Sequence, residues 1–127
     1  MNPLVIAIDS STTATKAIVV DTEGKVLALG RQDIDLLSPE QGFGEHDPRQ
    51  WWTSTRDAVA QALAQLTPAE KERIAAFGIT HQRESFAPFA ADGTPLRNGI
   101  LWLDIRAADQ VQCYGTPEIH ALSGRPA

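Results

Sequence analysis

The chain is expected to form an α/β domain on a mixed sheet: an antiparallel meander of three strands, then a helical crossover that returns a further strand to the same sheet. Three observations predict this. Apolar runs rich in branched residues recur over 4–8, 17–20 and 26–30 with short polar links between them. Residues 51–66 then repeat apolar side chains at helical spacing. A fresh apolar run over 74–80 follows almost at once, and a strand, helix, strand order implies a parallel crossover.

The elements follow in order. Residues 4–8 are continuously apolar, which suits a strand buried on both faces. Residues 17–20 repeat the pattern, and Asp21, Thr22, Glu23 and Gly24 are turn residues leading to a third strand over 26–30 that can run on toward Leu36. Residues 38–46 carry Pro39, Gly42 and Gly44 without a helical period and read as a loop. Asp47 before Pro48 reads as an N-cap followed by proline at the first helical position, and Trp51, Thr55, Ala58, Val59, Ala62, Leu63 and Leu66 fall close to helical spacing. Thr67 and Pro68 repeat the cap-then-proline signal for a brief helix before a core strand over 74–80. Further strands are expected over 85–90 and 100–103, around a turn at Asp92 and Gly93, and short helices over 106–114 and 117–122. No internal repeat or low-complexity tract interrupts this order.

Composition narrows the function classes. A chain of 127 residues can bury one core, and with 43% hydrophobic and 21% charged residues it has the makeup of an ordinary globular domain. A net charge of -5 with scattered Lys and Arg argues against nucleic-acid and anionic-membrane partners, which require clustered basic residues. The single cysteine, Cys113, excludes an intrachain disulfide framework and fits a reducing cytoplasm, where it reads as a structural thiol. Met1 leads directly into a strand that carries Asp9, so no signal peptide is expected, and no apolar run is long enough to span a membrane.

The segment Asp9-Ser-Ser-Thr12-Thr13-Ala-Thr-Lys16 carries the first chemical signal. A short turn whose amides and hydroxyls converge, beside an aspartate able to hold a cation, suits a Mg-bound nucleotide phosphate. Taken by itself it fits equally well an ordinary polar turn between buried strands. Trp51 and Trp52 are expected to pack against the sheet. His46 beside Asp47 and His81 near Glu84 invite an acid–base or metal reading, but Asp47 is better explained as a helix cap and metal binding there is not expected.

Three separated stretches become specific when taken together: residues 7–16 around Asp9; the run Gly42-Phe-Gly-Glu45-His46-Asp47-Pro48 leading to Trp51 and Trp52; and Gly78 to Ser85 followed by Asn98 to Arg106. In this order and spacing they resemble the N-terminal portion of the FGGY carbohydrate kinases, a family that includes glycerol kinases and xylulokinases. The resemblance covers essentially all of residues 1–127 and implies a ribonuclease H-like (actin-like ATPase) fold, incomplete at its C-terminus. It implies ATP and Mg2+ as cofactors and a small sugar or polyol as acceptor.

Residue by residue, the resemblance places Asp9 at the Mg-nucleotide, the Thr12 and Thr13 hydroxyls and amides at the phosphates, and Lys16 where a basic residue approaches them. It places Arg83 and Glu84 on vicinal hydroxyls of the acceptor, where a charged donor beside a charged acceptor matches the two halves of a diol. A surface ion pair at a strand end is the alternative for those two residues. Trp102 matches a flat wall for the carbon face of a polyol, although a plain core tryptophan fits as well, and His81 is a further candidate for sugar contact. Asp104 and Arg106 read as a structural pair near the site.

The same likeness puts the general-base aspartate and a second nucleotide-binding domain beyond Ala127, so residues 1–127 contain no catalytic residue of their own and are expected to lack kinase activity alone. Homo-oligomer formation by the full-length protein is left open. Glycerol, pentuloses such as xylulose, and other polyols remain as acceptors. A stand-alone, non-catalytic binding domain of the same fold is the alternative function, and a purely structural module the third.

Overall fold

The computed structural model describes residues 2–124. The expected break of the fold at Ala127, with the general base and second domain beyond it, lies outside the described residues. The main sheet has four strands in the order β3-β2-β1-β5, formed by β1 (Leu4–Ser10), β2 (Ala14–Asp21), β3 (Val26–Asp33) and β5 (Ile74–His81). β1 pairs antiparallel with β2, β2 antiparallel with β3, and β1 parallel with β5, so the meander and crossover stand as expected. The β2–β3 turn is closed by Asp21, whose Oδ1 accepts the Glu23 and Lys25 N–H groups at 2.9 Å, while Gly24 takes the left-handed backbone (φ 84°) that a Cβ would disfavour.

Helix α1 (Arg49–Ala64) covers one face of the sheet, burying Ser54, Ala58 and Ala62. These small residues let the helix lie very close to β3: a Cβ on Gly30 would fall 1.9 Å from the Ala58 carbonyl oxygen. Leu4, Ile6, Ile8, Ala17, Val19 and Ala28 complete the core with Leu66. Each large aliphatic side chain in it contributes about 1.5–3 kcal/mol of burial. The helix start differs by one residue from expectation. Pro48 takes the N-cap place, and Asp47, one residue outside, accepts the Arg49 N–H at 3.0 Å. The short α2 (Pro68–Lys71) has the expected Thr67 cap, and Glu70 bonds back to Thr67 to complete a capping box.

Several expectations are corrected. β1 is not buried on both faces but alternates along its length, because α1 covers only one side. β5 is an exposed edge strand, not a core strand: Phe77 is 73% and Ile79 56% exposed. Hydrophobicity alone cannot say whether a covering layer is present. Residues 38–46 end in a strand, since Leu37 bridges Glu45 and β4 (Glu45–His46) pairs antiparallel with β6 (Gly99–Ile100). The strands expected over 85–90 and 100–103 shrink to isolated bridges, Phe86 to Ile100 and Phe89 to Pro95, and to β6 itself. Pro88 and Pro95 have no N–H to continue a ladder. Trp52 is 69% exposed and does not pack on the sheet, and Cys113 is exposed as well, not a buried structural thiol. The expected short helices are α3 (Ala108–Tyr114) and α4 (Pro117–Ser123). Among the described residues no helix is long and apolar enough to cross a membrane.

Candidate functional site

β1 and β5 run parallel, and their registered ends, Ser10 beside His81, bring two carboxyl termini to one edge of the sheet. That edge is where open α/β sheets bind ligands. The turn leaving β1, the segment leaving β5 and the turn after β6 enclose an open cavity of about 400 Å³, and Asp9, Thr12, His81, Arg83, Glu84 and Trp102 all line it. Glu84 has left-handed backbone (φ 59°), a conformation that costs a non-glycine residue about 1–3 kcal/mol and persists where the surroundings over-determine it.

The other two candidates lie beside this cavity. Lys16 pairs in register with Asp9 across β1 and β2, and with Asp9 it lines a narrow groove on the sheet face opposite α1. Thr13 is exposed at the tip of the turn, with its carbonyl accepting the Ile34 N–H at 2.9 Å. Asp9 therefore borders both depressions. Among the described residues no three His, Cys, Asp or Glu side chains gather as a metal cage. A single carboxylate beside hydroxyl groups is still a fitting donor set for Mg2+, which keeps several waters and takes phosphate oxygens as further ligands.

Behind the cavity wall lies a polar network. His46 is fully buried. The Trp51 indole N–H donates to its Nδ1 at 2.9 Å, and since an indole can only donate, Nδ1 is the acceptor and Nε2 carries the proton in neutral His46. Nε2 in turn donates to the Thr12 carbonyl at 2.9 Å. Burial pushes the His46 pKa down from its ordinary value, with the bond to Thr12 acting in the opposite direction. Gln82 Nε2 approaches the same Nδ1 at 3.3 Å.

A second network supports the loop that carries Trp102. The Asp104 carboxylate accepts the Gly44 N–H at 2.8 Å and is held by Arg106 through Nε at 2.8 Å and Nη2 at 2.7 Å. Arg106 also reaches Glu45 at 2.7 Å and lies over the Phe43 ring at 3.9 Å. Arg97 and Asn98 complete the shell of Glu45, at 3.0 and 3.1 Å. The Arg106 guanidinium holds the Asp104 carboxyl well below the usual carboxylate range, and Arg106, then Asn98, lower that of Glu45. The pairing of Asp104 with Arg106 is as the sequence suggested, while the parts played by Glu45, His46 and Gln82 were not foreseen. Apart from Trp51, five residues from His46, their partners lie 34 to 70 residues away in sequence, so no local pattern reports them.

Residues 4–122 match the family model described as the FGGY family of carbohydrate kinases, N-terminal domain. A glycerol kinase of Beutenbergia cavernae is 39% identical over 119 residues, covering 93% of this chain and 23% of its own length. The chain thus spans about a quarter of the curated relatives it matches. Among solved structures, gluconate kinase from Lactobacillus acidophilus superposes with a TM-score of 0.86 at 25% identity, over 99% of this chain and 26% of that one. Plasmodium falciparum glycerol kinase with ADP superposes with a TM-score of 0.74 at 26% identity, over 89% and 23% respectively.

Proposed function

The chain belongs to the FGGY family of carbohydrate kinases, and from that premise we propose that it forms the first actin-like domain of an enzyme that transfers phosphate from ATP to a hydroxyl of a small sugar or polyol. The observation that carries this reading is the shared cavity at the carboxyl ends of β1 and β5, which Asp9 near the end of β1 lines together with Arg83, Glu84 and Trp102. The likeness to a glycerol kinase structure with ADP supports a nucleotide as one ligand of the enzyme.

In this reading Asp9 would hold a Mg2+, which would neutralise phosphate charge, with Thr12, Thr13 and Lys16 at the phosphates. Arg83 and Glu84 bind adjacent acceptor hydroxyls as donor and acceptor, Trp102 presents an apolar face to the carbon skeleton, and His81 edges the same space. The general base and the second nucleotide-binding domain come from sequence beyond Ala127. Rigid placement is the main contribution of the groups within residues 1–127: an acceptor hydroxyl held against the γ-phosphate reacts as if intramolecularly. The net charge of -5 and the lack of a basic cluster support a small-molecule partner over a nucleic acid or an anionic membrane. The lone thiol supports the cytoplasm as the location.

The test is a coupled ADP-release assay on the complete gene product against a panel of polyols, ketoses and aldonates. Turnover with at least one acceptor is expected, and Glu84→Ala should raise the KM for that acceptor far more than the KM for ATP. No acceptor-dependent ADP release from folded protein would refute the proposal, as would an effect of Glu84→Ala on ATP alone.

A further inference from the structure

His46 is a fully buried imidazole with both ring nitrogens engaged. Trp51 and Gln82 each present a donor to Nδ1, at 2.9 and 3.3 Å, which leaves the proton of the neutral ring on Nε2, and Nε2 donates it to the Thr12 carbonyl at 2.9 Å. The base of the side chain is held as firmly. β4 pairs His46 with Gly99, and the Trp51 ring lies so close over Gly99 that a Cβ there would fall 2.9 Å from its Cη2 and Cζ2 atoms. A leucine would fill similar space without the cost of burying two polar nitrogens. What the imidazole adds is a donor to the turn after β1 and an acceptor for α1 at the same time.

The peptide joining Thr12 to Thr13 is trans, so its C=O and N–H point in opposite directions. His46 draws the carbonyl inward, behind the cavity wall, and the Thr13 N–H is thereby turned outward. Thr13 is exposed, and among the described residues its N–H has no acceptor. The Thr13 carbonyl is tied to the Ile34 N–H at 2.9 Å, and the Ala14 carbonyl accepts both the N–H and the hydroxyl of Ser11, at 3.0 and 2.8 Å. Three successive carbonyls of the turn are thus occupied from within, while an amide is left for an outside acceptor. Building on the kinase reading above, we propose that His46 is a positioning residue of the nucleotide side, which fixes the Thr12–Thr13 peptide from behind so that the Thr13 N–H is presented to a phosphate oxygen. Being buried, His46 itself touches neither substrate. A donor held in place beforehand needs no reorganisation when charge shifts on the phosphate.

The experiment compares the complete gene product with its His46→Asn and His46→Gln variants, which divide the ring between them. Asparagine can offer an acceptor near the place of Nδ1 but is too short to reach Thr12, whereas glutamine can carry an N–H to the place of Nε2. His46→Asn is expected to raise the ATP KM about three- to tenfold, the range of one lost neutral hydrogen bond, with the acceptor KM within about twofold. His46→Gln should restore the ATP KM. An ATP KM unchanged in His46→Asn, or a rise confined to the acceptor KM, overturns the proposal. So do equal rises in both variants, the result that a mere packing role for the imidazole gives.

A readout without turnover separates this from failure of the kinase reading. In ¹⁵N-threonine-labelled protein, the Thr13 amide resonance, identified by its loss in Thr13→Ser, should move in His46→Asn and stay in place in His46→Gln. A resonance unmoved in His46→Asn refutes the anchor even if the enzyme phosphorylates a polyol. A moved resonance in a protein with no acceptor-dependent turnover upholds the anchor and rejects the kinase reading alone. Should His46→Asn fail to fold, the wild-type ring decides: in ¹⁵N-histidine-labelled protein the His46 signals, identified by their loss in His46→Gln, should show a slowly exchanging proton on Nε2. A proton on Nδ1, or rapid exchange with water, overturns the proposal.

Discussion

Replacing Asp104 with asparagine keeps its volume and removes its charge, and the structure sets the cost. The side chain is 1% exposed, and its two oxygens accept the backbone N–H groups of Gly44 and Arg106 as well as Arg106 Nε and Nη2, all between 2.7 and 2.9 Å. An amide retains one oxygen, so whichever way it is turned its NH2 faces two donors. Hydrogen bonds to a charged group are worth about 1.5–3 kcal/mol each, and breaking a buried pair about 3–5 kcal/mol. Arg106 keeps Glu45 at 2.7 Å, so the guanidinium is not stranded and the lower end, about 3 kcal/mol, applies. The assay is hydrogen exchange at Gly44 and Arg106, where about 3 kcal/mol corresponds to exchange roughly a hundredfold faster. The sign with pH follows from the lowered Asp104 pKa. Stabilisation by the carboxylate is complete above the unfolded value of 3.8 and is lost as pH falls below it. Wild-type protection, corrected for intrinsic exchange, should therefore drop on acidification below that value, with the Asp104 contribution to the drop absent in Asp104→Asn. Exchange accelerated by less than about fivefold at neutral pH would refute the claim that this network holds the loop.

Gly30→Ala would push a methyl group into the Ala58 carbonyl and, at 2.8 Å, the Ala62 nitrogen; both are backbone atoms, so α1 must shift, and a loss of about 3 kcal/mol in thermal or urea stability is expected. An unchanged melting temperature would contradict the close approach of helix and sheet. For His46, burial depresses the folded pKa below 6.5, so the unfolded chain takes up the proton first and stability declines as pH drops below that value. His46→Gln should flatten this part of the stability profile, and an identical slope in both proteins would rule out His46 as its source. Residues 1–127 expressed alone, ending at Ala127, should show no ATP-dependent phosphorylation of any polyol; activity above a contaminant control would mean that these residues suffice for transfer.

Local signals carried much of the fold. The three-strand meander, α1, the Thr67 cap followed by Pro68 and the turn at Gly93 each depend on residues a few positions apart, and each formed where expected. The α/β class followed from their order, and the ribonuclease H-like fold from the resemblance of the three motif stretches to the FGGY kinases. Expectation failed where a feature depends on what lies across space. The β5 run is as apolar as a core strand yet stands at an edge, and Trp51 and Trp52 are neighbours with opposite fates, one bonded to His46 and the other 69% exposed. The candidate site divides in the same way. Asp9, Arg83, Glu84 and Trp102 were visible as residue types in motifs, whereas the parts played by Glu45 and His46 rest on partners from distant segments.

The sequence by itself determined the order of the meander, α1 and β5, because hydrophobic period, caps and turn residues act over short stretches of chain, and its three motif stretches together pointed to the family. Only the tertiary structure decided that Thr12 is bonded to Trp102, 90 residues away, and that its hydroxyl donates to Gln82, 70 residues away. The direction of a hydroxyl is fixed by which donors and acceptors reach it, and here those arrive from segments that meet only when β5 pairs with β1.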